Sequence, residues 1–162
     1  MSNIIKLNEN SSSDLILVRK SLIGLRRCYP EFGKWYDDKV IPNLKDNSRR
    51  VFLATQYGEF SGALILKKTE DEKKVCTLFI NEQNRFHHIG SDFLRIASEE
   101  LETYKLPITV SDEAKDWFFN NKNFNFYTKE TCDGLYNEDT TEYLGYIMYH
   151  NPDNDLKFRS VE

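Results

Sequence analysis

Apolar residues recur every three or four positions in some parts of the chain, and elsewhere they run together or alternate with polar residues. The helical spacing predicts helices that begin at the serine-rich stretch 11–14, cover residues 31–40, and run from Ile89 to Tyr104. The other apolar runs are rich in β-branched and aromatic residues, which predicts strands. The predicted strands are residues 3–8, 51–55, 63–66, 75–80, 106–110, 124–127 and 141–149.

The order of these elements indicates one sheet with helices packed on it. The link Tyr57-Gly58-Glu59 between two strands predicts a hairpin, and the apolar run 75–80 is typical of a central strand buried on both faces. A further short helix is predicted to begin at Ser111 or Asp112 and to include Phe119. We therefore expect an α/β (α+β) fold with a central mixed sheet of six or seven strands, flanked by about four helices.

Composition favours a protein with one packed domain and argues against a membrane protein, a secreted protein and a disulfide-rich protein. The 162 residues are 40% hydrophobic, which is enough for one packed domain, placed at residues 1–150 and followed by a polar tail at 151–162. No apolar run approaches the roughly 18 residues of a membrane helix, and residues 1–10 lack the apolar core of a signal peptide. We expect a cytoplasmic protein with no membrane contact. Three scattered cysteines favour neither a disulfide framework nor a metal site.

Charge argues against a general nucleic-acid footprint. The chain has 22 basic and 26 acidic residues, for a formal charge of −4. A protein that binds nucleic acid over a broad surface is normally basic. Nucleic acid is therefore not expected as a partner, and only a local basic patch stays open.

The loop between the strand 75–80 and the helix at Ile89 holds the most informative chemistry. A strand that feeds a helix through such a loop directs free backbone amides toward one point, where the helix dipole also favours an anion. Arg85 adds a forked set of cationic donors. Gly90 would let a ligand approach the backbone closely. The residues alone thus indicate a phosphate-binding loop.

The segment from Leu78 to Leu94 resembles the acetyl-coenzyme-A motif of the GNAT family of N-acetyltransferases. In that family a buried strand is followed by Arg or Gln, two variable residues, Gly, one variable residue, and Gly or Ala. The six positions here run from Arg85 to Gly90, and His88 replaces the first glycine. The element order over nearly the whole chain is also similar to the GNAT order, with Asn123-Phe124 in place of the family's Gly-Phe turn.

The resemblance implies an N-acetyltransferase that moves an acetyl group from acetyl-coenzyme A to an amine by direct attack. Backbone amides near the end of the fourth strand would hold the pantetheine arm, and the loop amides would hold the pyrophosphate. The acceptor would bind between the first two helices and the final hairpin. It stays open among a small molecule, a protein amine and an aminoacyl-tRNA, and a homodimer also stays open. The implied cofactor-binding residues are Leu78, Phe79, Ile80, Arg85, Phe86, His87, His88, Ile89, Gly90 and Ser91.

Departures from the family pattern leave the catalytic residues unassigned. The tyrosine that many GNAT enzymes use as general acid corresponds to Phe119, which has no proton to donate. Tyr104 and Tyr127 are alternative donors. Glu82 is a candidate base, although a solvated loop carboxylate is the simpler interpretation. The alternative hypothesis is a catalytically impaired GNAT-fold binding or regulatory protein, and a third is an interaction module that does not bind coenzyme A.

Overall fold

The computed structural model describes residues 2–24, 29–84, 88–111, 125–135 and 139–149. Within these ranges, seven strands and three α-helical segments follow one another in nearly the predicted order. The elements are β1 (Ser2–Leu7), α1 (Ser12–Leu22), α2 (Phe32–Trp35), β2 (Arg49–Gln56), β3 (Glu59–Lys68), β4 (Lys73–Ile80), α3 (Ile89–Leu101), β5 (Lys105–Ser111), β6 (Asn125–Asp133) and β7 (Thr141–Met148).

The seven strands form one mixed sheet in the order β1-β2-β3-β4-β5-β7-β6. The first four strands pair antiparallel with their sequence neighbours. Short links join β2 to β3 and β3 to β4, whereas α1 and α2 lie between β1 and β2. β4 and β5 run parallel, because α3 carries the chain back across the sheet between them. β7 then inserts between β5 and β6 and runs antiparallel to both. This arrangement confirms the predicted α/β class and mixed sheet.

Helices cover both faces of the sheet, so the central strands are apolar on both sides. One face packs against α3, whose stripe Ile89, Phe93, Ala97 and Leu101 is fully buried. The other face packs against α1 and α2 through a second apolar cluster. The run 63–66 of β3 is 0% exposed, because its alternate side chains enter the two clusters.

The second helix departs from its prediction. Only Phe32–Trp35 is α-helical, and it continues as a wider π turn at Tyr36–Val40 and a tighter turn at Ile41–Asn43. Pro42 lies within that last turn, so the helical winding extends beyond the predicted end at residue 40. Because proline has no amide hydrogen, a regular α-helix cannot run through this position unbroken.

Two other predictions concern parts of the chain that are not described. The described residues hold three α-helical segments rather than the expected four. The predicted helix through Phe119 and the polar tail 151–162 lie outside the described residues. Among those that are described, no helix combines the length and apolar character that crossing a membrane demands.

Candidate functional site

The parallel strands β4 and β5 separate almost as soon as they meet. They share a single register pair, Val75 with Ile108, near the beginning of β4 and in the middle of β5. β5 by contrast pairs with β7 along its whole length, from Lys105 to Ser111. The carboxyl-terminal halves of β4 and β5 therefore diverge and leave an opening in the middle of the sheet, which we call the strand gap.

A β-bulge interrupts β4 at the level where its pairing with β5 ends. Val75 pairs with Leu66 and Thr77 pairs with Ile65, so Cys76 is an extra residue opposite β3. A bulge bends its strand and increases the local twist. It also shifts the alternation of side chains, which explains why Val75, Leu78 and Ile80 all pack on the α3 side. The bulge therefore lies directly after the residue at which the pairing of β4 with β5 ends.

Three of the predicted cofactor-binding residues lie on β4 at the strand gap. Leu78 and Phe79 are half-buried, and Ile80 is buried. Val110 and the last residue of β5, Ser111, are buried at the end of the opposite strand. Because residues 77–79 of β4 are paired in register with β3 and not with β5, their alternate backbone groups face the gap. Such groups are available to hydrogen-bond an extended ligand.

The amino-terminal end of α3 carries four more predicted residues. His88 precedes the helix in the left-handed conformation, with φ of 62°, and its carbonyl accepts a hydrogen bond of 3.0 Å from the Asp92 amide. Ile89 and Gly90 are buried in the first turn, and Ser91 is half-buried. The conformation at His88 is one that glycine adopts without strain. It therefore explains why glycine is usual at this place in the motif. Arg85, Phe86 and His87 lie outside the described residues.

Polar side chains fix the chain where β4 ends and the loop toward α3 begins. The Asn81 side-chain amide donates to the Phe60 carbonyl at 2.7 Å, and the Asn84 side-chain amide donates to Gln56 Oε1 at 2.6 Å. Asn84 is 9% exposed, so this bond satisfies a polar group that has little access to water. Glu82, the candidate base, is exposed on the same turn. The loop is thus held to the β2–β3 hairpin at its start.

A buried carboxylate lies on the face of the sheet that packs against α1 and α2, opposite to the face that carries α3. It is at the level where the strand gap is open. Glu142, the second residue of β7, is 0% exposed and pairs in register with Ser111 of β5. The Tyr29 hydroxyl donates a hydrogen bond of 3.3 Å to Glu142 Oε2. Tyr29 lies between α1 and α2 and packs against the apolar cluster of those helices. Neither residue was among the candidates from the sequence.

The two tyrosines considered as proton donors lie elsewhere. Tyr127 of β6 pairs with Tyr146 of β7, which pairs with Pro107 near the beginning of β5. Tyr104 immediately precedes β5, and its carbonyl accepts a hydrogen bond from the Tyr149 amide. Both tyrosines are therefore near the start of β5, whereas the strand gap opens toward its end.

Cys76 is not arranged as a nucleophile. Burial raises the pKa of its thiol, and the nearby Arg49 opposes this shift only in part. Arg49 Nη1 lies 3.2 Å from the sulfur, and its guanidinium is 5.6 Å from the centre of the Trp35 ring. A thiol with a raised pKa contains less of the reactive thiolate. The bulge residue thus behaves as part of the packing between β4 and α2.

Comparison with solved structures identifies the fold. No family model and no curated protein matches the sequence. The structure is similar to the ribosomal-protein-S18-alanine N-acetyltransferase of Escherichia coli, with a TM-score of 0.63, 18% identity and coverage of 95% of this chain and 98% of that chain. A GNAT-family acetyltransferase of Bacillus cereus gives a TM-score of 0.62, 19% identity and coverage of 93% and 99%.

A third similar structure was solved with a ligand. An aminoglycoside 6'-N-acetyltransferase complexed with coenzyme A gives a TM-score of 0.61, 11% identity and coverage of 93% of this chain and 99% of that chain. At such identities the likeness establishes the fold and leaves the chemistry to the site. The chain has the GNAT fold over most of its length, as the sequence resemblance predicted.

Proposed function

We propose that the protein is an N-acetyltransferase that moves the acetyl group of acetyl-coenzyme A to an amine acceptor by direct attack. The observation that carries this proposal is the strand gap, which begins directly after the Val75–Ile108 pair. A sheet interior rarely leaves backbone hydrogen-bonding groups without a neighbouring strand, because each such group is costly when it is also kept from water. A gap of this kind suits an extended ligand that carries amide groups.

The residues at the gap fit the chemical parts of acetyl-coenzyme A. The edge of β4 at Leu78–Ile80 would hold the pantetheine arm through backbone groups, and the same donors would stabilise negative charge on a carbonyl oxygen. The amides of Ile89, Gly90 and Ser91 at the start of α3 would face the pyrophosphate, where the helix dipole favours an anion. The bound cosubstrate supplies an activated acetyl thioester.

The acceptor would reach the thioester from the other face of the sheet. α3, with the proposed phosphate site, packs on one face, whereas α1 and α2 pack on the other. Two faces allow both substrates to be bound together, as direct transfer requires. Structural neighbours act on a ribosomal-protein alanine and on aminoglycosides, which supports an amine as acceptor.

Calorimetric titration with acetyl-coenzyme A tests the cosubstrate, with free and desulfo-coenzyme A as comparisons. We expect saturable one-to-one binding in the micromolar range. Arg85→Ala should weaken it by about 1.5–3 kcal/mol, because a charge-assisted hydrogen bond to phosphate is lost. Arg95→Ala is the matched control, since Arg95 is 43% exposed on α3 and pairs with Glu99 at 3.5 Å. Equal affinity of the two variants would remove Arg85 from the phosphate site.

Release of free thiol from acetyl-coenzyme A then tests transfer. The acceptor panel contains an aminoglycoside, nourseothricin, a peptide with an amino-terminal alanine, and ethylamine. Amine-dependent thiol release would support the acetyltransferase. Tight binding without release on any amine would favour the alternative of a binding or regulatory protein. Absence of binding at millimolar acetyl-coenzyme A would contradict both.

A further inference from the structure

We propose that Tyr29 and Glu142 form a proton relay that takes a proton from the acceptor ammonium group. This inference rests on the proposed function and adds a base to it. Tyr29 is the catalytic residue that contacts the acceptor nitrogen, and Glu142 is a positioning residue that acts through the Tyr29 hydroxyl. The pair is held by the hydrogen bond of 3.3 Å from Tyr29 Oη to Glu142 Oε2.

The location of the pair matches the point of reaction. Glu142 lies opposite Ser111, the last residue of β5, three positions beyond the residue that pairs with β4. Val110 faces the α3 side, so its neighbour Ser111 and the cross-strand partner Glu142 face the side of α1 and α2. The relay therefore lies at the open end of the strand gap, on the face from which the acceptor would enter.

The burial of each residue assigns its role. Glu142 is 0% exposed, so it cannot itself contact a substrate. Tyr29 is only half-buried, and its hydroxyl is already directed at the carboxylate. A carboxylate kept from water is stabilised by a polar partner or by a proton. The phenol is thus the accessible end of a path that leads to a buried proton acceptor.

These groups and the two substrates supply every proton and electron pair that acetyl transfer requires. Tyr29 Oη accepts one proton from the ammonium nitrogen while its own proton passes to Glu142 Oε2. The nitrogen lone pair then forms the bond to the acetyl carbon, and the carbon–sulfur bond breaks with its electron pair on sulfur. A second nitrogen proton goes to that sulfur and gives the thiol, whereas the third stays in the amide. Glu142 returns its proton through Tyr29 to water as the products leave.

Two substitutions test the relay by kinetics. Glu142→Gln keeps the shape of the side chain, and Tyr29→Phe removes only the hydroxyl. Each should lower kcat with the best panel amine by about 10²-fold, the lower end for a lost general base. The double variant should lose about as much as either single variant, because the two groups act as a unit. Tyr57→Phe is the matched control, since Tyr57 is 89% exposed in the β2–β3 link.

A pair of small amines separates proton transfer from packing. Ethylamine is an ammonium ion near neutral pH, whereas trifluoroethylamine of similar size is largely the free amine. Both variants should be impaired strongly with ethylamine and little with trifluoroethylamine, because the second needs no base. Equal impairment with the two amines would show a purely structural role and overturn the relay. Circular dichroism and acetyl-coenzyme A affinity verify that each variant folds. If Glu142→Gln does not fold, the comparison of the two amines is made with Tyr29→Phe alone.

Infrared difference spectra give a readout apart from turnover. Adding the amine to protein that holds free coenzyme A should produce a carboxylic-acid carbonyl band in the wild type and no such band in Glu142→Gln. A band that persists in that variant would overturn the relay. If the wild type transfers acetyl groups and both variants equal it, the relay alone fails. If the wild type releases no thiol with any amine, the proposed function itself fails and the relay with it.

Discussion

Replacing Gly62 with alanine should disturb the end of β4 from the side opposite the strand gap. Gly62 pairs in register with Ile80, and a Cβ atom at this position would lie 2.6 Å from the Phe79 carbonyl oxygen. It would also lie 3.2 Å from Cε2 of Phe93 and 3.4 Å from the Ile80 Cα. Two of the three obstacles are backbone atoms of β4, which cannot rotate away as a side chain can.

The size of the effect follows from these distances. An ordinary contact begins near 3.4 Å, so the Phe79 carbonyl must move by roughly 0.8 Å. Overpacking of this kind costs about 1–3 kcal/mol, and the preference of alanine over glycine in a strand offsets up to about 1 kcal/mol of it. We expect Gly62→Ala to lower the free energy of unfolding by roughly 1–2 kcal/mol. For a chain of this size that is a fall in Tm of about 2–8 °C.

The same displacement should reach the proposed cosubstrate site. If the moved strand end loses one good backbone hydrogen bond to the ligand, acetyl-coenzyme A affinity should fall by about tenfold. Urea denaturation and calorimetry measure the two effects. Gly24→Ala is the control, because a Cβ at Gly24 meets nothing within 4 Å. A Gly62→Ala protein with unchanged unfolding midpoint and unchanged affinity would refute the reasoning.

Substitutions at two further positions test particular burial and backbone arguments. Burial raises the pKa of the Tyr36 hydroxyl, and the nearby Asp37 raises it further. The folded protein therefore keeps this proton at pH values above the ordinary pKa of 10.0, where the unfolded chain loses it. The free energy of unfolding should fall as the pH rises above 10. Tyr36→Phe should lower the free energy of unfolding by about 1 kcal/mol at neutral pH, because the hydrogen bond of 2.8 Å to the Leu15 carbonyl is lost. Urea denaturation at a series of pH values should show that the difference between wild type and variant shrinks above about pH 10. A difference that stays constant to pH 11 would contradict the burial argument. At His88, with φ of 62°, glycine should preserve stability or raise it by up to about 1 kcal/mol, whereas valine should lower it by about 1–2 kcal/mol. Thermal denaturation compares these variants, and equal Tm values for glycine and valine would argue against the left-handed start of α3.

Local patterns were sufficient to predict the elements and the fold class. The run 75–80 is nearly continuous in apolar character because its side chains, apart from Thr77, enter the apolar clusters on the two faces of the sheet. The stripe from Ile89 onward is periodic because it faces one cluster only. The loop between them was recognised from its position and from Gly90. The cofactor role of its residues stays a prediction, and Arg85 falls outside the part of the chain that the structure describes.

The strand gap and the relay could not be predicted from the sequence. Nothing in the run 75–80 distinguishes a strand that pairs along its length from one that bulges at Cys76. Tyr29 and Glu142 are 113 positions apart, and only the tertiary fold brings them together. One signal was present in the last strand. Glu142, Leu144 and Tyr146 are two positions apart in a strand, so they lie on the same face, and Leu144 and Tyr146 are half-buried. A carboxylate on a partly apolar face is unusual and marks Glu142.

The single β4–β5 pair also divides the sheet into two cooperative units. Strands β1 to β4 are joined by near-complete ladders, and β5, β7 and β6 form a second laddered group. Between the groups, the sheet itself offers one bridging pair, and α3 packs across both. Native-state amide exchange should therefore be fastest at the inner edges of β4 and β5, although they lie in the middle of the sheet. A ligand that fills this seam would couple the two units and raise the temperature at which they separate.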